Sequence, residues 1–329
     1  MKKSFLFVCL TIIALTTVLP HYVAARNHEQ QVEKHFKAAE GGTLYLNSDR
    51  GSVKIRGQAF DEVDVVVTLK ADTRNKEEAR DWFDRFELTF DHRGKDVEIR
   101  GEWDDSWFGR RNKLKVHFDI QVPKRYNLDV DTAGGSIWLD DLSGEVRLET
   151  SGGSIAMGEI EGPVWAETSG GSISLERAKG DASVHTSGGS VTLSKIEGSV
   201  DAKTSGGTIS VDGVDGNLQA RTSGGSLRLT NINGNLKART SGGSIHAELL
   251  KQIDEPAELR TSGGSITLEI PANLKADIDA STSGGRVMTD IPLTIQGTLS
   301  KGRIQGTMNG GGERISLRTS GGNIEIRER

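Results

Sequence analysis

The sequence predicts an all-β fold: a single-stranded β-solenoid with 18-residue rungs and two short strands per rung, preceded by an irregular β region that carries one amphipathic helix. Three observations lead there. The phrase Thr-Ser-Gly-Gly-Ser-Ile, or a close variant of it, begins at Thr132, Thr150, Thr168, Thr186, Thr204, Thr222 and Thr240 at a constant interval, and looser copies begin at Thr261, Thr282 and Thr319. Self-similarity at a fixed interval marks an architecture of stacked repeats. Counted from the isoleucine of the phrase, apolar residues recur at offsets 0, 2, 5, 9 and 11, as in Ile155, Met157, Ile160, Val164 and Ala166 or in Ile173, Leu175, Ala178, Ala182 and Val184. Alternation at 0 and 2, and again at 9 and 11, is the period of strands that bury one face. Glycine is the third observation, since the pair inside the phrase marks one corner and a single glycine at offset 7, as at Gly162, Gly180 and Gly198, marks the other. At such corners glycine supplies a positive φ or a backbone approach too close for a Cβ. Gly170→Val is accordingly expected to disrupt folding.

A triangular hexapeptide coil has a rung of the same length, but it needs an aliphatic residue at every sixth position. Glu161 and Glu167 occupy those positions after Ile155. Two-sided rungs are therefore expected. One rung alone buries too little to offset the entropy of ordering it, so stability must come from stacking.

Taken in order, residues 1–25 read as an export signal: Lys2 and Lys3 precede an apolar run from Phe5 to Leu19, and Val23-Ala24-Ala25 supplies the small residues of a cleavage site. Cleavage is expected after Ala25, with a periplasmic or extracellular destination and no transmembrane segment once the signal is removed. The single cysteine, Cys9, falls inside that run, so packing and backbone hydrogen bonds rather than disulfides must hold the fold. The chain of 329 residues carries 41 Lys+Arg against 46 Asp+Glu. An acidic balance of this kind argues against nucleic acid as a partner.

Residues 26–130 form the irregular N-terminal region and cap. Alternating apolar positions predict strands at Val32 to Phe36, Thr43 to Leu46, Val53 to Ile55, Val63 to Leu69, Leu88 to Phe90, Val97 to Ile99 and Leu114 to Val122. Gly51-Ser52-Val53-Lys54-Ile55 already follows the grammar of the later phrase. Within 75–86, Ala79, Trp82, Phe83 and Phe86 share one face of a helix, expected to lie across a sheet. Between Gly101 and Asn112, Trp103, Trp107 and Phe108 stand among Asp104, Asp105, Arg110 and Arg111. They read either as a loop folded back over a sheet edge or as an aromatic and arginine patch for a partner.

Residues 131–329 form the regular solenoid. The interval lengthens after Thr240, and the longest gap predicts a hairpin insertion near 290–312 around Ser300-Lys301-Gly302. The last rung ends in the charged run Glu325 to Arg329, expected to protect an exposed edge strand from association. Trp138 and Trp165 point outward in this register and are expected to be covered by the helix or another N-terminal segment.

No catalytic signature emerges, and the chain is read as non-enzymatic with no cofactor. Ser-Gly-Gly-Ser is not a nucleophile elbow. Gly198 to Thr204 imitates a P-loop, but Ala202 stands where the second glycine is required. The seven histidines lack metal-ligand spacing. Asp140 with Asp141, and Glu149 with Glu167, are acidic pairs that a solvated turn and a solvated face explain without a hydrolytic site. A threonine array that orders ice is the remote reading of the phrase itself.

The most specific surface feature is the residue before each threonine, which runs Glu149, Glu167, His185, Lys203, Arg221, Arg239. Its basic half, Lys203, Arg221 and Arg239 with Lys237 beside them, forms a candidate ladder for an anionic glycan, a lipid headgroup or an envelope protein. The bland alternative is a solvated strip balanced by acids in neighbouring columns.

The openings Gly41-Gly42-Thr43-Leu44-Tyr45-Leu46 and Gly51-Ser52-Val53-Lys54-Ile55, the Val122-Pro123 boundary and the Thr-Ser-Gly-Gly-Ser-Ile series together resemble a family of exported bacterial β-strand-repeat proteins of unknown function, described as adhesins. The resemblance covers nearly all of the chain after residue 25 and departs from the family mainly in the number and regularity of the rungs. It implies a β-repeat fold and an adhesin or scaffold role in the cell envelope, and it brings no catalytic residues. A polysaccharide-active enzyme and a structural or regulatory partner in envelope signalling are the other classes that the sequence leaves open.

Overall fold

The computed structural model describes residues 28–104, 113–295 and 300–329. Among them the chain forms two sheets of fifteen strands each, joined rung by rung, with one short helix. Strands that open on the isoleucine of the phrase build one sheet and strands that end on its threonine build the other. In a typical rung Ile173–Lys179 lies in the isoleucine sheet and Ala182–Thr186 in the threonine sheet. Neighbouring rungs pair in parallel exactly one repeat apart, Ile173 opposite Val191 and Val184 opposite Ala202.

The inward positions read from the sequence are the core. Ile155, Met157, Ile160, Val164 and Ala166 are all buried, as are their equivalents along the coil, in one continuous cluster between the sheets. The alternation continues one step further than the apolar pattern. Thr150, Thr168, Thr186, Thr204, Thr222 and Thr240 point inward and are 0–6% exposed. Each hydroxyl donates to the carbonyl of the second glycine in the adjacent phrase: Thr168 Oγ1 to Gly153 O, and Thr186 Oγ1 to Gly171 O, both at 2.7 Å. The same oxygen accepts the N–H of the second glycine in its own phrase, as from Gly189 to Thr186 at 3.3 Å. Burial of this column removes the ice-ordering reading, which needs threonines facing water.

The second serine of each phrase makes an outer ladder beside it. Ser154 Oγ accepts from Ser172 N, and Ser172 Oγ from Ser190 N, at 3.1 Å in both cases. Of the two glycines the second is the more tightly confined. A Cβ on Gly171 would lie 2.0 Å from Gly153 O, whereas one on Gly170 would meet Gly152 O at 3.4 Å, an ordinary contact. The tighter constraint falls on Gly171, which lies directly under the neighbouring backbone, while Gly170 leaves room for a Cβ.

Both ends of the coil depart from simple succession. The rung Thr43–Ser48 with Ser52–Gln58 lies between Asn127–Thr132 with Ile137–Leu139 on one side and Asp96–Trp103 with Leu114–Pro123 on the other. The chain therefore leaves after its first rung, builds the cap and returns beneath it. Glu62–Ala71 and Glu29–Lys37 complete the cap as antiparallel strands of the isoleucine sheet, and Phe86–Arg93 does so in the threonine sheet. The helix is Lys76–Asp84, capped by Asn75, whose side chain accepts from Glu77 N and Glu78 N. It buries Ala79 and Trp82 and packs against Glu62–Ala71 and Phe86–Arg93, while Phe86 belongs to the following strand.

The other end mirrors this excursion. The sequence-last rung, Glu313–Thr319 with Ile324–Glu328, inserts between Ala257–Arg260 with Ile266–Ile270 and Ala276–Thr282 with Val287–Thr289. Ile324–Ile326 is paired on both sides, whereas Arg327 and Glu328 pair in register only with Glu269 and Ile270. Arg303–Met308 lies antiparallel to Ala276–Thr282 and to Thr294–Ile295, and this hairpin extends the threonine sheet rather than projecting from the coil. The phrase stacks by position in space rather than by order in the chain: Thr319 Oγ1 donates to Gly264 O and Thr282 Oγ1 to Gly322 O, both at 2.7 Å.

Candidate functional site

The outer face of the threonine sheet carries two parallel columns, each spaced by the separation of paired strands, about 4.8 Å. Strand alternation points the residue before each threonine outward, together with the residue two positions earlier. The first column stacks Asp131, Glu149, Glu167, His185, Lys203, Arg221 and Arg239 in register. It then continues through Arg260 and Arg318. Regular spacing along the chain does not reveal these last two, because the repeat interval changes there, although each still stands immediately before a phrase threonine. Five cations thus follow one another after an acidic start.

The second column, Asp129, Arg147, Trp165, Ser183, Asp201, Gln219, Lys237, Glu258 and Ser316, decides how much of that charge is compensated. Lys203 Nζ lies 2.6 Å from Asp201, Arg239 Nη2 lies 2.6 Å from Glu258, and Arg318 pairs with the buried Asp279. Arg221 instead donates to the neutral Gln219 at 2.9 Å. Among the described residues, Arg221, Lys237 and Arg260 form no ion pair. Acids therefore balance three of the five ladder cations and leave a positive patch centred on Arg221, Lys237 and Arg260, with Arg239 between them.

Opposing influences act on the carboxylates along the face. Burial raises the pKa of Asp201, but the hydrogen bonds from Lys203 and Gln219 and the charges of Lys203 and Arg221 outweigh it and leave the value lowered. Asp131, at the acidic end, is raised by burial and by Asp129 against the pull of Arg147. The sign for Asp201 follows: its contribution to stability is complete above the ordinary aspartate pKa, about 3.9, and is lost as the pH falls through its lowered folded value. Carboxyl chemical shifts followed by NMR against pH should show Asp131 titrating above that reference value and Asp201 below it. The reverse order would refute this account of the two ends.

Beside the columns runs a groove of about 520 Å³. Pro163 and Trp165 stand at one end, Ser183 and Ser199 in the middle, and Gln219 and Lys237 toward the other end, and Glu145, Asp181, Asp201 and Glu255 give the lining an acidic balance. The depression arises where the short Ser183 follows Trp165 in the stack. Trp165 is covered on one face by the guanidinium of Arg147, whose central carbon lies 3.7 Å from the ring centroid. Among the described residues no N-terminal segment covers Trp138 either; it is 44% exposed, between Lys54 and Ala156 on the isoleucine sheet. The two tryptophans lie on opposite sheets, so one covering segment could not serve both.

Other residues singled out in the sequence have local duties. Trp103 is half-buried against the core with the Arg50 guanidinium 4.4 Å from its ring centroid, which suits a ring folded over the sheet edge. Trp107 and Phe108 lie outside the described residues. Asp141 Oδ1 accepts from Glu159 N at 2.9 Å and so ties itself to the strand Ile155–Glu161 of the next rung. Glu149 and Glu167 are in-register neighbours, and Arg147 Nη2 approaches Glu149 at 3.4 Å. No group of three or more His, Cys, Asp or Glu side chains able to hold a metal ion occurs among the described residues.

The class defined by this geometry is a two-sheet β-solenoid with graded charge and a groove along one face. The Toastrack DUF4097 family model matches residues 42–327, and the chain belongs to that family. No curated protein matches it. Among solved structures it is similar to a candidate cell adhesion protein from Clostridium sporogenes, at 13% identity and a TM-score of 0.21 over 92% of this chain and 100% of that one. It is also similar to a candidate adhesin from Bacteroides fragilis, at 12% identity and a TM-score of 0.32 over 91% and 97% of the two chains. A candidate lipid binding protein from Parabacteroides distasonis is similar at 11% identity and a TM-score of 0.35 over 91% and 96%. None of these likenesses carries an argument about what this chain binds. Among the described residues no helix is long and apolar enough to cross a membrane.

Proposed function

We propose that this chain is an exported, non-catalytic envelope protein that binds an anionic polymer or anionic surface along its threonine sheet. The observation that carries the reading is the stack of Lys203, Arg221, Arg239, Arg260 and Arg318 at rung spacing, in which Arg221 and Arg260 have no acid partner among the described residues. Like charges directly opposite one another on paired strands are destabilising. An external chain of negative charges relieves that repulsion at several rungs together, and the rigid coil holds the cations in line before the ligand arrives. The leader-like sequence of residues 1–25 supports export, and the adhesin reading follows from binding at the envelope.

Substituting Arg221, Arg239 and Arg260 by glutamine together tests the reading. Binding of the wild-type chain to alginate, or to vesicles containing phosphatidylglycerol, should weaken with added salt, and the triple variant should bind about tenfold more weakly with a shallower salt dependence. Unaltered binding by a folded triple variant would sink the proposal.

A further inference from the structure

We infer that the outer face of the threonine sheet docks onto the same face of a second copy of this chain, the two coils running antiparallel about a two-fold axis at the rung of Asp201 and Lys203. The inference goes beyond the ladder reading above and does not rest on it, since a second copy and an anionic polymer compete for the same cations. A two-fold interface brings one surface patch onto itself. When identical sheets meet face to face about an axis parallel to their strands, each column lies on its own copy with the order of rungs reversed. A rung that stands a given number of places before the axis therefore meets the rung that stands as many places after it.

The two columns complement themselves under that reversal. Three rungs before Lys203 stand Arg147 and Glu149, and three rungs after it stand Glu258 and Arg260. Their charges run in opposite order, so Glu149 lies over Arg260 and Arg147 over Glu258. Two rungs from the axis, Glu167 meets Arg239 and Trp165 meets Lys237. That lysine of the second copy enters the end of the groove where Glu145 and Asp181 line the wall. One rung away, Ser183 and His185 meet Gln219 and Arg221, a polar contact without an acid. At the axis Lys203 and Asp201 meet their own copies, but they already form a 2.6 Å pair, so the crossing is balanced.

Other arrangements lose this match. With the axis between His185 and Lys203, Arg147 would face Lys237 and Asp129 would face Glu258; with the axis one step further on, between Lys203 and Arg221, those two cations would face each other. Parallel coils would set every residue against itself, and like charges across an interface disfavour association. From Asp131 to Arg318 the face is about 38 Å long and about 16 Å wide, or about 600 Å² per copy, at the lower end of the range for specific interfaces. Exposed ion pairs contribute little each and are screened by salt. The dimer is therefore weak and salt-sensitive.

Two experiments test the inference on the full chain. Sedimentation velocity should show a dimer at about 100 µM protein in low salt that dissociates in about 0.5 M salt. Carbodiimide, which joins an amine to a carboxylate without a spacer, reads the register on the wild-type protein. Lys237 and Glu167 are four rungs apart in one chain, about 19 Å, so a Lys237–Glu167 link found by mass spectrometry forms only between copies. Arg260→Glu should weaken association about tenfold, and adding Glu149→Arg to it should restore the dimer. Glu149→Arg combined with Arg221→Glu has the same net charge and should remain monomeric, with circular dichroism confirming that each variant is folded. A monomeric wild type, a dimer without the Lys237–Glu167 link, or equal association of the two double variants would overturn the inference. A wild-type monomer that binds alginate would sink the dimer and keep the ladder, whereas a dimer that binds no alginate at any dilution would do the reverse.

Discussion

Gly171→Val should abolish the native fold or cost on the order of 4–5 kcal/mol or more, whereas Gly170→Ala, one residue earlier, should melt within about 1 kcal/mol of the wild type. The contrast comes from the stack rather than from the turn. A Cβ at Gly171 would stand 2.0 Å from the carbonyl oxygen and 2.3 Å from the carbonyl carbon of Gly153, both backbone atoms of the adjacent rung. No rotamer change can relieve that overlap. The rungs would have to part, which breaks the ladder hydrogen bonds that join each strand to its neighbours. Gly170 faces Gly152 O at 3.4 Å and Ser151 O at 3.7 Å, so a methyl group fits. Thermal unfolding followed by circular dichroism distinguishes the two, and equal melting temperatures would refute the assignment. The other corner obeys a related rule: Gly180 has φ +148°, and a Cβ there would come within 2.7 Å of Gly162 backbone.

Thr186→Val should destabilise the coil by on the order of 2–4 kcal/mol, and Thr186→Ser by much less. Valine matches threonine in shape but offers no hydrogen bond. The native hydroxyl, 0% exposed, donates to Gly171 O at 2.7 Å and accepts from Gly189 N at 3.3 Å. Valine would leave one acceptor and one donor without that partner in a corner where water has no access, and burying unpaired backbone groups is the expensive part. Serine retains the oxygen and loses only a methyl group from the core. Chemical denaturation of the three proteins gives the ordering directly. A valine variant as stable as the wild type would show that these bonds contribute nothing net. Because the phrase recurs, the same bond joins rungs along the whole coil, from Thr132 to Gly51 O at 2.9 Å through Thr319 to Gly264 O.

These two positions also mark the limit of what local spacing conveys. The sequence places a glycine pair at each corner but does not say which member lies against the neighbouring rung, because both look alike along the chain. Threonine reads as polar and so falls outside the apolar offsets, although strand alternation from Val164 and Ala166 carries it inward to Thr168. For the candidate site, Lys203, Arg221, Arg239 and Lys237 were legible from the regular repeat. Arg260 and Arg318 were hidden by the longer intervals, and the groove at Trp165 depends on which short side chain stands in the next rung.

What the sequence determined by itself is the rung: its length, its two strands, its inward side chains and its corners, because each of these follows from local spacing and the period of a strand. What only the tertiary structure decided is the order and balance of the stack. Gly51 lies under Thr132, and the final rung slips between Ile266–Ile270 and Val287–Thr289, because any phrase can pair with any other once the backbone carbonyls align. The same stacking sets Asp201 beside Lys203 and Gln219, and Glu258 beside Arg239, and leaves Arg221 and Arg260 with no ion pair among the described residues. Charge along the face is thus a property of neighbours in space, which strand pairing brings together across intervals that local spacing does not record.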